Sequence, residues 1–199
     1  MRSLQIFKIR GIPFKLHPYW FAILFLFSWS ISNQVNLTSG EIYNIKEAWL
    51  IGFLTSFFLL STIIFHEVLH TFVSLNQGVK IKNITFYFLG AVLQIEKECQ
   101  TALGNIKISI VRPLLCFSTA LILIFISNPT ESNEQIFTNI LNRVAILNLF
   151  LGFLNLIPIG SLDGGNLLKS TIWYFSGSKN KGRNFLNKLT LILSILVFL

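Results

Sequence analysis

Long apolar runs dominate the pattern of hydrophobic and polar positions along this chain. Five runs contain no charged residue: residues 18–31, 48–65, 113–127, 144–159 and 189–199. A helix needs roughly 20 mostly apolar residues to cross about 30 Å of hydrocarbon, and the first four runs reach that length with their flanks. The fifth run would extend only about 16 Å as a helix, so we expect either a truncated chain or a half-span.

Two segments interrupt this helical pattern. Residues 79–98 follow the second run, are rich in β-branched and aromatic residues and have Gly90 near the middle, which predicts a small membrane-associated β-hairpin. The sequence LIPIGSLDGG, residues 156–165, breaks the fourth run with one proline and three glycines. Irregular backbone at membrane depth is tolerated only inside protein or beside a watery cavity, so this break indicates a site.

The composition supports a membrane location. Hydrophobic residues make up 53% of the 199 residues and charged residues only 12%, whereas a soluble domain carries about 25% charge. We therefore predict an α-helical polytopic membrane protein with about five to six transmembrane segments. No internal repeat or separate soluble region is visible, so residues 1–199 are expected to form a single domain.

The distribution of basic residues predicts the orientation of the chain. A net charge of +8 could indicate nucleic acid, but the basic residues cluster beside the apolar runs, as in oriented membrane proteins, and no nucleic-acid partner is expected. Four basic residues precede the first run, which predicts a cytoplasmic N-terminus. A second cluster is cytoplasmic only if residues 144–173 form one broken crossing: Lys179, Lys181, Arg183 and Lys188.

Cys99 and Cys116 are too few for a disulfide framework, although the sequence leaves a single bridge open. Cys99 follows the predicted hairpin among charged residues, and we expect it to face cytoplasmic water. Cys116 lies in the third apolar run and is expected to be shielded.

Candidate chemistry follows the second apolar run, in the sequence TIIFHEVLHTF. On a helix, His66 and His70 lie on one face, where both imidazoles can bind one Zn²⁺ at about 2.0 Å. Glu67 can take a proton from a water molecule on that ion, which is the chemical content of an H-E-x-x-H motif. The alternative is a pair of histidines bonded to neighbouring helices, but ionisable residues within membrane spans are rare and usually functional.

Asp163 is the only aspartate in the chain, and it lies in the broken part of the fourth run. The other carboxylates, apart from Glu67, lie in or beside loops, so Asp163 is the candidate for a third metal ligand. An aspartate before two glycines is otherwise an ordinary turn residue. Its combination with an intramembrane H-E-x-x-H motif favours the ligand interpretation, because an unpaired charge within a membrane is costly.

Together these motifs resemble the site-2 protease family of intramembrane zinc metalloproteases. The resemblance rests on FHEVLH in an early span, on LNLIPIGSLDGG in a later one, and on the eight-residue spacing from Asn155 to Asp163. IRGIPFKLHPYW and FYFLGAVLQIEKE are also similar to short members without a PDZ domain, so the likeness covers most of the chain. It implies a zinc metalloendopeptidase that cleaves membrane proteins in or beside the bilayer.

The resemblance also implies roles for individual residues. His66, His70 and Asp163 would bind one Zn²⁺ per chain, Glu67 would be the general base, and Asn155 would hold the substrate or the developing oxyanion. Two positions depart from the family pattern. Arg112 precedes Pro113 where the family usually has glycine, and Leu69 stands where a small residue is common; both changes affect the packing expected around the site.

Two other functions use similar residues. A metal transporter could employ the same ligands, but it would tend to contain internal repeats. A non-catalytic relative that only binds membrane partners would be expected to lack the base or a ligand, whereas all four positions are present here.

Overall fold

A computed structural model describes residues 3–38, 42–87, 90–127, 135–160 and 162–198. The chain divides into two compact units. Unit 1 comprises Met1–Phe65, Ile81–Glu96 and Ser118–Asn148, and unit 2 comprises His66–Lys80, Lys97–Phe117 and Leu149–Leu199. The acidic loop after the third apolar run lies largely outside the described residues.

The described residues form six helices and four strands. The helices are α1 (Tyr19–Thr38), α2 (Ile45–Asn76), α3 (Ala102–Ile126), α4 (Gln135–Leu156), α5 (Asp163–Ser176) and α6 (Lys179–Phe198). The strands are β1 (Leu4–Ile9), β2 (Ile12–Leu16), β3 (Lys80–Tyr87) and β4 (Gly90–Lys97). The predominance of helix agrees with the sequence analysis.

Three helices within the described ranges are long and apolar enough to cross a membrane: α2, α3 and residues Ile136–Leu156 of α4. They contain all or most of the second, third and fourth apolar runs, and the mean hydropathies of their most apolar windows are 2.1, 2.2 and 1.5. Helix α1 contains the first run but ends in the polar sequence SNQVNLT, which shortens its apolar length. The structure thus has three candidate spans and a small sheet.

The sheet belongs to unit 1 almost entirely and is larger than the predicted hairpin. Its strand order is β1-β2-β3-β4, so the expected strands β3 and β4 are joined by an N-terminal hairpin that the sequence analysis missed. Strands β1 and β2 are antiparallel, and β2 runs parallel to β3. Arg10 and Gly11 both have positive φ, 49° and 82°, as a two-residue type I′ turn requires.

Unit 2 begins with the last three turns of α2 and includes the break between α4 and α5. Helix α4 ends at Leu156, two residues before Pro158, because proline cannot donate the hydrogen bond that would continue a helix. The fifth apolar run is the second half of α6, whose first half carries the basic cluster. The sequence predicted either a truncated chain or a half-span here, and in the structure this run belongs to a 20-residue helix.

The two cysteines have free thiols, so the disulfide that the sequence left open is not formed. Cys116 is only 2% exposed, as predicted. The prediction for Cys99 was wrong, because this residue is only 3% exposed. Its Sγ lies 3.6 Å from the Thr101 carbonyl, and Gly104 in the first turn of α3 packs so closely that an added Cβ would lie 2.5 Å from the sulfur.

Candidate metal centre

Helix α2 carries His66, Glu67 and His70 in its last third, within unit 2. Their exposures are 2%, 3% and 7%, so all three polar side chains are buried. Neither ring nitrogen of His70 has a hydrogen-bond partner among the described residues. A buried polar atom without a partner costs about 1–3 kcal/mol, and a ligand for these nitrogens would remove that cost.

Asp163 is the first residue of α5 and is only 5% exposed. Its Oδ1 atom lies 4.0 Å from Nε2 of His70, although 93 positions separate the two residues along the printed sequence. The position at a helix N-terminus favours a carboxylate, because the unpaired backbone N–H groups there carry partial positive charge. The break before α5 therefore places the only aspartate beside a candidate metal ligand.

Gly164 and Gly165 allow α5 to begin directly against the backbone of the break. A Cβ atom on Gly164 would lie 2.1 Å from the Leu156 carbonyl oxygen, and one on Gly165 would lie 2.0 Å from the Ile159 carbonyl oxygen. Both contacts are with backbone, which cannot rotate away as a side chain could. The Asp-Gly-Gly sequence thus has a steric reason in addition to the turn propensity recognised from sequence.

We predict that Gly164→Ala and Gly165→Ala destabilise the protein strongly, by at least the ~1–3 kcal/mol typical of overpacked interiors. Gly160→Ala is the matched control in the same segment, because the nearest atom to its added Cβ, Oγ1 of Thr190, is 4.0 Å away. Thermal unfolding in detergent should show lower melting temperatures for the first two variants only. Equal melting temperatures for all three would contradict the close approach.

Arg112 of α3 lies inside the site. One guanidinium nitrogen, Nη1, donates to Oδ2 of Asp163 at 2.6 Å, and the other, Nη2, donates to Oε2 of Glu67 at 2.6 Å. Sequence analysis considered this arginine only as an obstacle to helix packing. A signal was present, since Arg112 is the only charged residue between Lys107 and position 127, and an isolated intramembrane charge implies a partner.

Cys116, one helical turn after Arg112, connects the remaining predicted residues. Its Sγ lies 3.5 Å from Nδ1 of His66, and the side chain of Asn155 in the last turn of α4 lies beside its thiol. All five predicted site residues therefore lie in unit 2, where His70 contacts Asp163 directly. Glu67 reaches Asp163 through Arg112, and His66 reaches Asn155 through Cys116.

The donor chemistry of this cluster fits a divalent metal. Two imidazoles and a carboxylate are the ligand types that zinc prefers, and tetrahedral ligands at ~2.0–2.1 Å from one ion lie about 3.3 Å apart. The 4.0 Å gap between His70 and Asp163 is about 0.7 Å wider than that, and Arg112 holds the other oxygen of the aspartate. Accordingly, no three His, Cys, Asp or Glu side chains among the described residues are close enough together to bind one metal ion in this arrangement.

Similar proteins carry metalloprotease names. The model for Peptidase family M50 matches residues 122–197. A Synechocystis relative with a zinc metalloprotease name, sll0528, is 32% identical over 186 residues, which are 90% of this chain and 47% of the relative. Zinc metalloprotease MJ0392 of Methanocaldococcus jannaschii is 32% identical over 85% of this chain and 45% of its own length. The chain thus spans about half the length of these curated relatives.

A solved structure supplies the deciding comparison. The site-2 protease from Methanocaldococcus jannaschii matches this fold with a TM-score of 0.61 and 27% identity, over 99% of this chain and 84% of that chain. The resemblance to the site-2 protease family is confirmed. The family-model match to Peptidase M50 includes Asn155 and Asp163, whereas the histidine motif and Arg112 precede it. The site-2 protease likeness of the first half of the chain therefore rests on the relatives and on the structural match.

Proposed function

We propose that this chain is an intramembrane zinc metalloendopeptidase, which hydrolyses peptide bonds in transmembrane or membrane-proximal segments of membrane proteins. The observation that carries the proposal is the burial of His66, Glu67 and His70 on a candidate membrane-spanning helix, with Asp163 4.0 Å from His70. The names of the matching relatives, zinc metalloprotease and site-2 protease, support the same activity.

His66, His70 and Asp163 would hold one Zn²⁺ per chain. When bound, zinc supplies a Lewis acid for the substrate carbonyl and lowers the pKa of a coordinated water molecule. The fourth ligand position of a catalytic zinc site stays open for water or substrate, and the three predicted ligands leave it so.

Glu67 would act as general base and then as general acid. Its Oε1 atom has no hydrogen-bond partner in the described part of the chain, while Oε2 accepts from Arg112. Oε1 is therefore the oxygen that can take the proton from water and return it to the leaving amine. Asn155 would donate its side-chain N–H to the substrate or to the developing oxyanion.

The substrates are expected to be membrane proteins, with the lipid bilayer as the surrounding medium. Five to six transmembrane segments would comprise the three candidate spans together with α1, α5 and α6. Helices α4 and α5 would form the broken crossing. Six residues separate Leu156 from Asp163, and those that the structure describes are not helical. The N-terminus and the basic start of α6 would then both be cytoplasmic.

Lys181→Cys tests this orientation. Lys181 is exposed in the first turn of α6, and the native cysteines are only 3% and 2% exposed, so they should give little background. A membrane-impermeant maleimide is expected to label the variant in inside-out vesicles and to leave it unlabelled in right-side-out vesicles. The reverse result would invert the predicted topology.

Co-expression with tagged single-span proteins tests the activity itself. Cleavage of at least one substrate by the wild type, and of none by Glu67→Gln, is the expected result. A metal transporter would instead accumulate Zn²⁺ in vesicles without cleaving any protein. A non-catalytic relative would bind a tagged partner and leave it intact in both variants.

A further inference from the structure

Arg112 joins the two carboxylates that the proposed function separates into a base and a ligand. Each terminal nitrogen of its guanidinium binds a different acid, at 2.6 Å from Glu67 and at 2.6 Å from Asp163. The two carboxylate side chains are only 4% and 7% exposed. A planar guanidinium presents its donors in a rigid fork, so this double contact fixes the distance between the two acids.

The fork uses one oxygen of each carboxylate and leaves the other. It binds Oδ2 of Asp163, while Oδ1 of Asp163 lies toward Nε2 of His70 at 4.0 Å. It binds Oε2 of Glu67, while Oε1 of Glu67 has no partner in the described part of the chain. The atoms left available are those that a metal ion and its water would use.

Electrostatics explain why a cation is needed at this place. Two buried carboxylates close to one another repel, and a buried charge without a partner is strongly unfavourable. Hydrogen bonds between ionised partners are about twice as strong as those between neutral groups. Arg112 therefore supplies positive charge to both acids, and it contacts one oxygen of each.

We propose that Arg112 is a positioning residue, which holds Asp163 for the metal ion and Glu67 for water. This inference rests on the proposed function. The competing possibility is that Arg112 takes the place of the metal ion. Glu67, Asp163 and Arg112 together carry one negative charge, so the site with a bound divalent ion has a net charge of +1. Without the arginine, the site with the same ion would be neutral. Competition thus predicts tighter metal binding when Arg112 is removed, and positioning predicts weaker binding.

Cobalt binding to the purified, metal-depleted 199-residue chain distinguishes these possibilities. Partners that hold metal ligands in place typically contribute 10–100-fold to metal affinity. We expect Arg112→Gln to weaken Co²⁺ binding by at least about 10-fold and to shift the visible d–d absorption band. Arg112→Lys should show an intermediate loss, because an ammonium group keeps the charge but cannot fork between two acids.

Arg143→Gln is the matched control, since Arg143 also lies on a candidate membrane span but belongs to unit 1. Its Co²⁺ affinity and spectrum should equal those of the wild type.

Unchanged affinity in both Arg112 variants would reduce Arg112 to a structural role and overturn the inference, and increased affinity would identify a competing cation. If Arg112→Gln does not fold, as judged by circular dichroism, the Lys variant decides by the same criteria. Absence of Co²⁺ binding by the wild type would overturn the proposed function as well, whereas normal wild-type binding limits any failure to Arg112.

Discussion

Glu67→Gln is expected to lower peptide-bond cleavage by about 10²–10⁴-fold, the range that a positioned general acid or base contributes, while about one metal ion per chain remains bound. Glutamine keeps the shape of the side chain but cannot accept the proton from water. Its amide oxygen can still accept the hydrogen bond that Arg112 Nη2 now donates to Oε2. The ligands and their surroundings should therefore be retained.

Cleavage of a co-expressed substrate and metal analysis of the purified chain measure the two effects separately. Glu98→Gln is the matched control, because Glu98 also lies in unit 2 but is exposed and bonded to Lys179 at 2.7 Å. That hydrogen bond lowers the pKa of Glu98. Replacing Glu98 with glutamine therefore removes the negative partner of Lys179 and leaves the candidate metal centre unchanged. Glu98→Gln should cleave normally. Full activity in Glu67→Gln would remove Glu67 from the mechanism.

Sequence reasoning succeeded where the determining interactions are local. The spacing of His66 and His70 requires only one helix, and α2 carries both residues as the motif predicts. The break at residues 157–162 follows from Pro158 and the following glycines, which act within a few residues of their own positions. Asp163 was inferred by elimination, since the chain contains no second aspartate; its position beside His70 is observed, and its role as a ligand stays a prediction.

The missed features depend on contacts between distant parts of the chain. The pairing of β2 with β3 joins residues about 70 positions apart, and no local pattern specifies a parallel register. Arg112 was noted only as a departure from the family pattern, because its partners lie 45 and 51 positions away. Cys99 was placed in water because its neighbours in sequence are charged, whereas Gly104 and Thr101 pack around its sulfur.

Asp163→Ala is expected to reduce both metal content and cleavage, because two histidines alone make a weak zinc site compared with the three protein ligands of catalytic zinc centres. Asp163→Asn should behave similarly, since an amide keeps the shape at the start of α5 but carries no negative charge. Metal content per chain after dialysis against a weak chelator is the primary measurement. Both variants should fall well below the wild-type value of about one ion per chain.

Asn166→Ala provides the matched control on the same helix. Its side-chain oxygen accepts a hydrogen bond from Lys169 at 2.9 Å. This variant should retain its metal and its activity. Unfolding temperatures of the metal-free proteins separate loss of a ligand from loss of structure, because Asp163→Asn removes the charge while Gly164 and Gly165 still pack against the break. If the aspartate variants keep a full complement of zinc, the third ligand lies elsewhere. Asp163 would then lie 4.0 Å from His70 only because of its ion pair with Arg112.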